Sequence, residues 1–196
     1  FWGIYWWQAN RQVMSPLTFR DQVKIFSLGF MGYFLSSYLD FLGLQYISVG
    51  LERIVLYLTP TIVLLISYFV LNKSISRLQW YALAVGYLGV IVVFIQDASS
   101  SGTMAMLGML LVFASACSYA IYMIGSGEMV KRVGSVRLVV YASSASTLMS
   151  VMQILIYDPQ AMFTQVAQIY WLSLLNASLC TVIPMLLIMI AISRIG

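Results

Sequence analysis

Six long apolar runs separated by short polar gaps organise this chain. A helix needs about 20 mostly apolar residues to cross a bilayer. Six segments meet that requirement: 25–45, 49–71, 78–96, 104–126, 138–157 and 169–191. They predict an all-α polytopic membrane protein with six complete transmembrane helices. Residues 1–7 read as the tail of a further span, in which Trp2, Tyr5, Trp6 and Trp7 form an interfacial aromatic cluster. The gaps 72–77, 97–103, 127–137 and 158–168 are short. Consecutive helices are therefore expected to be antiparallel neighbours, with no room for a soluble domain between them.

Composition narrows the solvent. The chain is 62% hydrophobic and 8% charged, whereas a water-facing surface needs roughly 25–35% charged residues. With no histidine, no His-ligated metal centre or His-based catalyst is expected, and no cofactor is implied. Cys117 and Cys180 lie inside apolar runs, so neither reports on a redox compartment. The net charge of +4 comes from scattered loop residues and does not indicate nucleic-acid binding.

The position of the charges adds direction. Arg11, Arg20 and Lys24 precede the first run, Lys73 and Arg77 come two runs later, Lys131, Arg132 and Arg137 two runs after that, and Arg194 follows the last. Alternate gaps hold Asp97 or Asp158, or no charge. Lys and Arg are retained preferentially in cytoplasmic loops, so 8–24, 72–77, 127–137 and the end near Arg194 are expected inside, and 46–48, 97–103 and 158–168 outside. Only Arg53 breaks the pattern. The start at Phe1 and the stop just past the last run read as a fragment of a longer protein. The sequon Asn176-Ala177-Ser178 falls inside a span and reads as accidental.

Asp40 is the one acidic residue well inside a run, about five residues from its outer end and so roughly 7–8 Å deep at 1.5 Å per residue. Gly29, Tyr33, Ser36, Asp40 and Gly43 share a helical face, which is expected to meet other helices or a cavity. Leu28, Leu35, Leu39 and Leu42 form a separate stripe towards lipid. Arg53 enters the next span at a similar depth. The two charges can build a substrate or proton site, join two helices as an ion pair, or leave Arg53 reaching the headgroups. Glu52 reads as an interfacial, solvated charge. Pro60 and Pro184 are expected to kink their spans. Tyr57 shares a face with Arg53 and Pro60, and Asn176 lies two turns before Pro184. Ala82, Gly86 and Gly89, and Ala114 to Ser118, offer close-packing surfaces. Ser115, Ser118, Tyr122 and Gly125 share a face, with Tyr122 either packed or lining a cavity, and span hydroxyls are expected to bond the carbonyl one turn back.

Segment 25–50 overlays 171–196 at an offset of 146, and the two run in opposite directions through the membrane. Inverted five-helix repeats produce that relation. The stretches Gly43-Leu44-Gln45-Tyr46-Ile47-Ser48-Val49-Gly50, Leu58-Thr59-Pro60, Gly86-Tyr87-Leu88-Gly89-Val90, Ser118-Tyr119-Ala120-Ile121-Tyr122 and Ile183-Pro184 resemble the EamA branch of the drug/metabolite transporter superfamily. The family often carries a Gly-Glu-basic turn where this chain has Asn72-Lys73-Ser74, so no role of that glutamate is carried over. The resemblance implies ten spans in two inverted repeats. Residues 1–97 would end the first (the tail of span 2 and spans 3–5), and 104–196 would begin the second (spans 6–8). Spans 1, 9 and 10 and most of span 2 would lie outside the chain. It also implies a central cavity. Asp40, Arg53, Tyr57, Tyr122 and Asn176 are the candidates for it, chosen by helical face.

The function expected is secondary active transport, export of small metabolites or amphipathic compounds by alternating access, in a plasma membrane of the bacterial inner-membrane type. The partners expected are a small-molecule substrate and the lipid bilayer. The alternative is a structural or regulatory multi-pass protein without transport. The loops hold no acid–base cluster or phosphate-binding glycine loop, so an enzyme is not expected.

Overall fold

The computed structural model describes residues 3, 17–72, 75–97, 104–162 and 164–195, without the side chains of 89–97, 161–162, 189 and 192–195. The aromatic cluster expected at 1–7, Arg11, Lys73, the side chain of Arg194 and most of the gap 97–103 lie outside the described residues. So does any packing at Gly89.

Five helical stretches are long and apolar enough to cross a bilayer: Phe19–Gly43, Val49–Leu71, Ala105–Val133, Ser135–Tyr157 and Ala167–Ile188. The run expected at 78–96 lies in a helix of 21 residues, Arg77–Asp97, which reaches about 31 Å at 1.5 Å per residue. No strand occurs among the described residues. Large apolar side chains such as Phe41, Phe69, Leu78, Ile156 and Trp171 are exposed, as expected where lipid is the solvent. The chain is an all-α, multi-pass membrane protein.

In chain order the helices are α1 (Phe19–Gly29), α2 (Ser36–Gly43), α3 (Val49–Leu56), α4 (Thr59–Leu71), α5 (Arg77–Asp97), α6 (Ala105–Val133), α7 (Ser135–Tyr157), α8 (Ala167–Leu175) and α9 (Ile183–Ile195). Two π-helical segments interrupt this order. Phe30–Leu35 joins α1 to α2, and Asn176–Val182 joins α8 to α9. The first span starts at Phe19, earlier than its apolar run, because Thr18 caps it. The Thr18 N–H and hydroxyl both donate to Asp21 Oδ2, at 3.1 and 2.5 Å, a reciprocal arrangement that satisfies groups a helix start leaves open. The gap expected at 127–137 is mostly helix. Glu128, Lys131 and Arg132 are good helix formers, so α6 runs on to Val133, and only Gly134, at φ +84°, separates it from α7.

Two compact units emerge. One comprises residues 31–124. Its apolar core is Ile47, Leu51, Val55, Ala105 and Val112, with Ile54, Leu56, Leu58 and Met109 packed against it. The face expected from Tyr33, Ser36 and Gly43 is buried, and Gly32 joins it, because a π turn admits one more residue to the same side. Gly32 lies against Tyr122, and a Cβ there would overlap the base of its ring. Gly43 and Gly108 let two backbones approach, each sitting against the other's carbonyl oxygen. In this unit α3 also packs on α5, and the Thr61 and Tyr87 hydroxyls are hydrogen-bonded.

The other unit comprises residues 1–30 and 125–196. Here α1 packs on α7, and Gly29 lies directly on the Ala142 backbone. Gly125 faces the end of Leu28, and α9 packs on α7. Asp21 is buried, and its Oδ1 faces Arg132 Nη1 at 3.2 Å.

Candidate functional site

Three charges converge in the unit 31–124. Ser48 starts α3 by accepting the Leu51 N–H on its hydroxyl at 3.2 Å, which fixes where Glu52 and Arg53 fall. Glu52 turns inward with Leu51 and Val55, and its side chain is only 2% exposed. It was expected to be solvated. Its burial comes from tertiary packing, and its place in the first turn of α3 suits the positive end of the helix dipole. Arg53 turns outward, with its side chain 67% exposed, yet it folds back so that Nε lies 3.2 Å from Glu52 Oε2. Consecutive helical residues do not face each other, so this pairing uses the length of the arginine arm. The two are close in charge but not aligned as a hydrogen bond.

Asp40, near the end of α2, is half-buried, and its Oδ1 is shielded without a hydrogen-bond partner. It lies within electrostatic reach of both Glu52 and Arg53. No ion pair joins Asp40 directly to Arg53; the salt bridge runs to Glu52. The ion pair thus joins Arg53 to Glu52, with Asp40 within electrostatic reach of both. Charges shielded from water are costly unless paired, so Arg53 offsets part of what the two acids cost.

A second constellation is aromatic. Tyr122 is fully buried, and its hydroxyl is hydrogen-bonded to that of Tyr33 in the π segment. The two rings are 4.8 Å apart, and Tyr119 stands 5.7 Å from Tyr122. Of the two placements open to Tyr122, the structure has it packed. Serines of α6 serve the same segment and the start of α2. Ser118 donates to Met31 O at 2.8 Å and Ser115 to Ser36 O at 2.7 Å. Both were expected to bond one turn back in their own helix. They bond instead to a carbonyl of the π segment and to that of the first residue of α2. Ser143 and Thr147 in α7 do bond within their helix, to Val140 O and Ser143 O.

The remaining candidates stand apart from these contacts. Tyr57 is exposed in the turn between α3 and α4, and Pro60 is exposed at the second position of α4. The span is broken at Tyr57–Leu58, where Pro60 supplies no N–H to the carbonyl four residues back. Asn176 is exposed and opens the second π segment, its carbonyl accepting from Thr181 Oγ1 at 3.2 Å. Pro184 is the second residue of α9, directly after that segment. No cluster of three metal-ligating side chains occurs among the described residues.

Residues 1–95 match the EamA-like transporter family. The first half of the chain is EamA-like. Over 180 residues it is 29% identical to the uncharacterized transporter YcbK of Bacillus subtilis, a match covering 90% of this chain and 58% of that protein. It is 30% identical over 106 residues to an uncharacterized transporter of Archaeoglobus fulgidus, covering 54% of this chain and 37% of the relative. The chain thus spans under two thirds of the length of these relatives. No solved structure matches it significantly. The EamA-like stretch holds Asp40, Glu52, Arg53, Tyr57 and Pro60, whereas Tyr122, Asn176 and Pro184 lie beyond it.

Proposed function

We propose that the whole protein is a secondary active transporter that exports small metabolites or amphipathic compounds across the plasma membrane by alternating access. The observation that carries this reading is the EamA-like sequence of the half that holds the charged cluster. The transporter names of both relatives agree with it. In this reading residues 1–97 and 104–196 belong to two inverted repeats of a ten-span protein.

The π segments support the repeat. The sequence offset of 146 lays Phe30 on Asn176 and Leu35 on Thr181, and the two π segments are Phe30–Leu35 and Asn176–Val182. Single π turns inside α-helices are rare and frequent at functional sites. Two at matched positions argue for a shared ancestral span more strongly than the few identical residues do. Repeats inserted in opposite directions give a carrier two related halves that rock about a central site.

In the proposed site Asp40, Glu52 and Arg53 supply charge, while Tyr57 and Tyr122, of the same unit, belong to its surroundings. A carboxylate within a span marks an ion or substrate pathway by default. The test is a metabolite export screen of the full-length protein in vesicles, followed by Asp40→Asn. Export that depends on the protein, with a rate or pH profile altered by Asp40→Asn, is the expected result. Unchanged export on both counts would remove Asp40 from the site. A complete reading frame without further spans on both sides would end the ten-span reading.

A further inference from the structure

The charged cluster contains two carboxylates and one cation, and its members differ in freedom. Glu52 cannot leave: its side chain is 2% exposed, held in the inward face of α3 between Leu51 and Val55. Arg53 can leave: two thirds of its side chain is exposed, and it reaches Glu52 only by folding back along its own helix. The contact is an ion pair at 3.2 Å in which Glu52 Oε2 accepts no aligned hydrogen bond. Asp40 Oδ1, within electrostatic reach, is shielded and without a partner. With both acids ionised, the cluster holds one negative charge more than it neutralises.

From this geometry we infer that Arg53 is an internal counter-ion, occupying the Glu52 carboxylate until an external cation displaces it. The inference rests on the transport reading above and adds a ligand class to its site. The class is a monovalent cation that a buried carboxylate with a second acid in electrostatic reach would hold, either an organic ammonium group or a proton. A carrier that returned empty with Glu52 buried and unpaired would meet the penalty of a bare charge in a shielded site. A tethered guanidinium removes that obstacle. When the ligand arrives, the exposed arm swings out, and the fixed carboxylates keep their places. The other titratable groups near α3 do not take this role. On α5, which packs against it, Tyr81 is exposed and Tyr87 is engaged with Thr61.

The inference makes a prediction of unusual sign. Removing Arg53 should tighten cation binding, because it removes a competitor. Benzylammonium binding to the full-length protein in nanodiscs, followed by calorimetry with benzyl alcohol as the uncharged control, measures it. Arg53→Gln should bind benzylammonium roughly two- to fivefold tighter, the scale of a largely exposed ion pair. Arg53→Lys, which keeps the competing charge, should stay near the wild type. Glu52→Gln and Asp40→Asn should both bind more weakly. If benzylammonium binds none of these but Arg53→Gln takes up protons at higher pH than the wild type in weakly buffered solution, the displacing cation is the proton. Should Arg53→Gln weaken or leave unchanged both benzylammonium binding and proton uptake, the counter-ion role is wrong. Gel-filtration profiles of each variant separate misfolding from lost binding. None of these measurements requires transport, so a protein that binds as described yet exports nothing would refute the transport reading and leave this one standing.

Discussion

At the scale of single residues, shape decides more than chemistry. Gly32 presses on the Tyr122 ring with no space for a methyl group. Gly32→Val should destabilise the protein by about 1–3 kcal/mol, the usual cost of overpacking, read as a lower midpoint of thermal unfolding in detergent. Ser118 is a milder case. Its hydroxyl supplies Met31 O with a donor at 2.8 Å. Ser118→Ala should cost about 0.6 kcal/mol, the average for a hydrogen bond between membrane helices, while Ser143→Ala, whose bond stays within α7, should cost less. A larger loss from Ser143 than from Ser118 in the same unfolding assay would contradict the role given to the crossing bonds.

At the scale of elements, the two π segments invite a direct manipulation. A π turn is an α-helix with one residue inserted, so deleting one residue between Phe30 and Leu35 should yield a regular helix with the register of Asp40 preserved. Amides of this stretch should then exchange with solvent more slowly, by about fivefold if one backbone hydrogen bond of roughly 1 kcal/mol is restored. Exchange measured by mass spectrometry that stays as fast as in the wild type would mean the segment is not a soft point. How much of this was legible in the sequence differs between the two segments. The break at Pro60 and the interruption before Pro184 announce themselves through a missing N–H. Phe30–Leu35 contains no proline, and nothing local marks it. Its contacts are with Ser118 and Tyr122, which lie far along the chain. The same holds for Glu52. One turn into a span it looks like any interfacial acid, and only the packing around Leu51 and Val55 encloses it. The spans themselves were plain, because twenty apolar residues have few alternatives to a bilayer. Their ends were less so, since helix-forming charged residues such as Lys131 and Arg132 carry α6 past its apolar run.

At the scale of the whole molecule, the basic residues assign sides. With Cys117 and Cys180 replaced, single cysteines at Ala98 or Gln165 should react with an impermeant maleimide on intact cells, and those at Ser74 or Val133 only after the membrane is opened. The reverse pattern would invert the orientation. Compactness follows a different division from the proposed repeats, since one unit gathers residues 1–30 with 125–196. Repeats record how a sequence arose, whereas units record which surfaces packed afterwards.

The pair of buried Asp21 and exposed Arg132 carries a consequence for how the protein is made. Arg132 follows Asp21 by 111 residues. At ordinary translation speeds it leaves the ribosome roughly 5–20 s later. For that interval the first helix sits in the insertion machinery with an acid whose partner has not been synthesised. A nascent chain arrested before Arg132 should therefore keep its first span accessible to quality-control proteases, and release from that surveillance would coincide with the arrival of a single arginine.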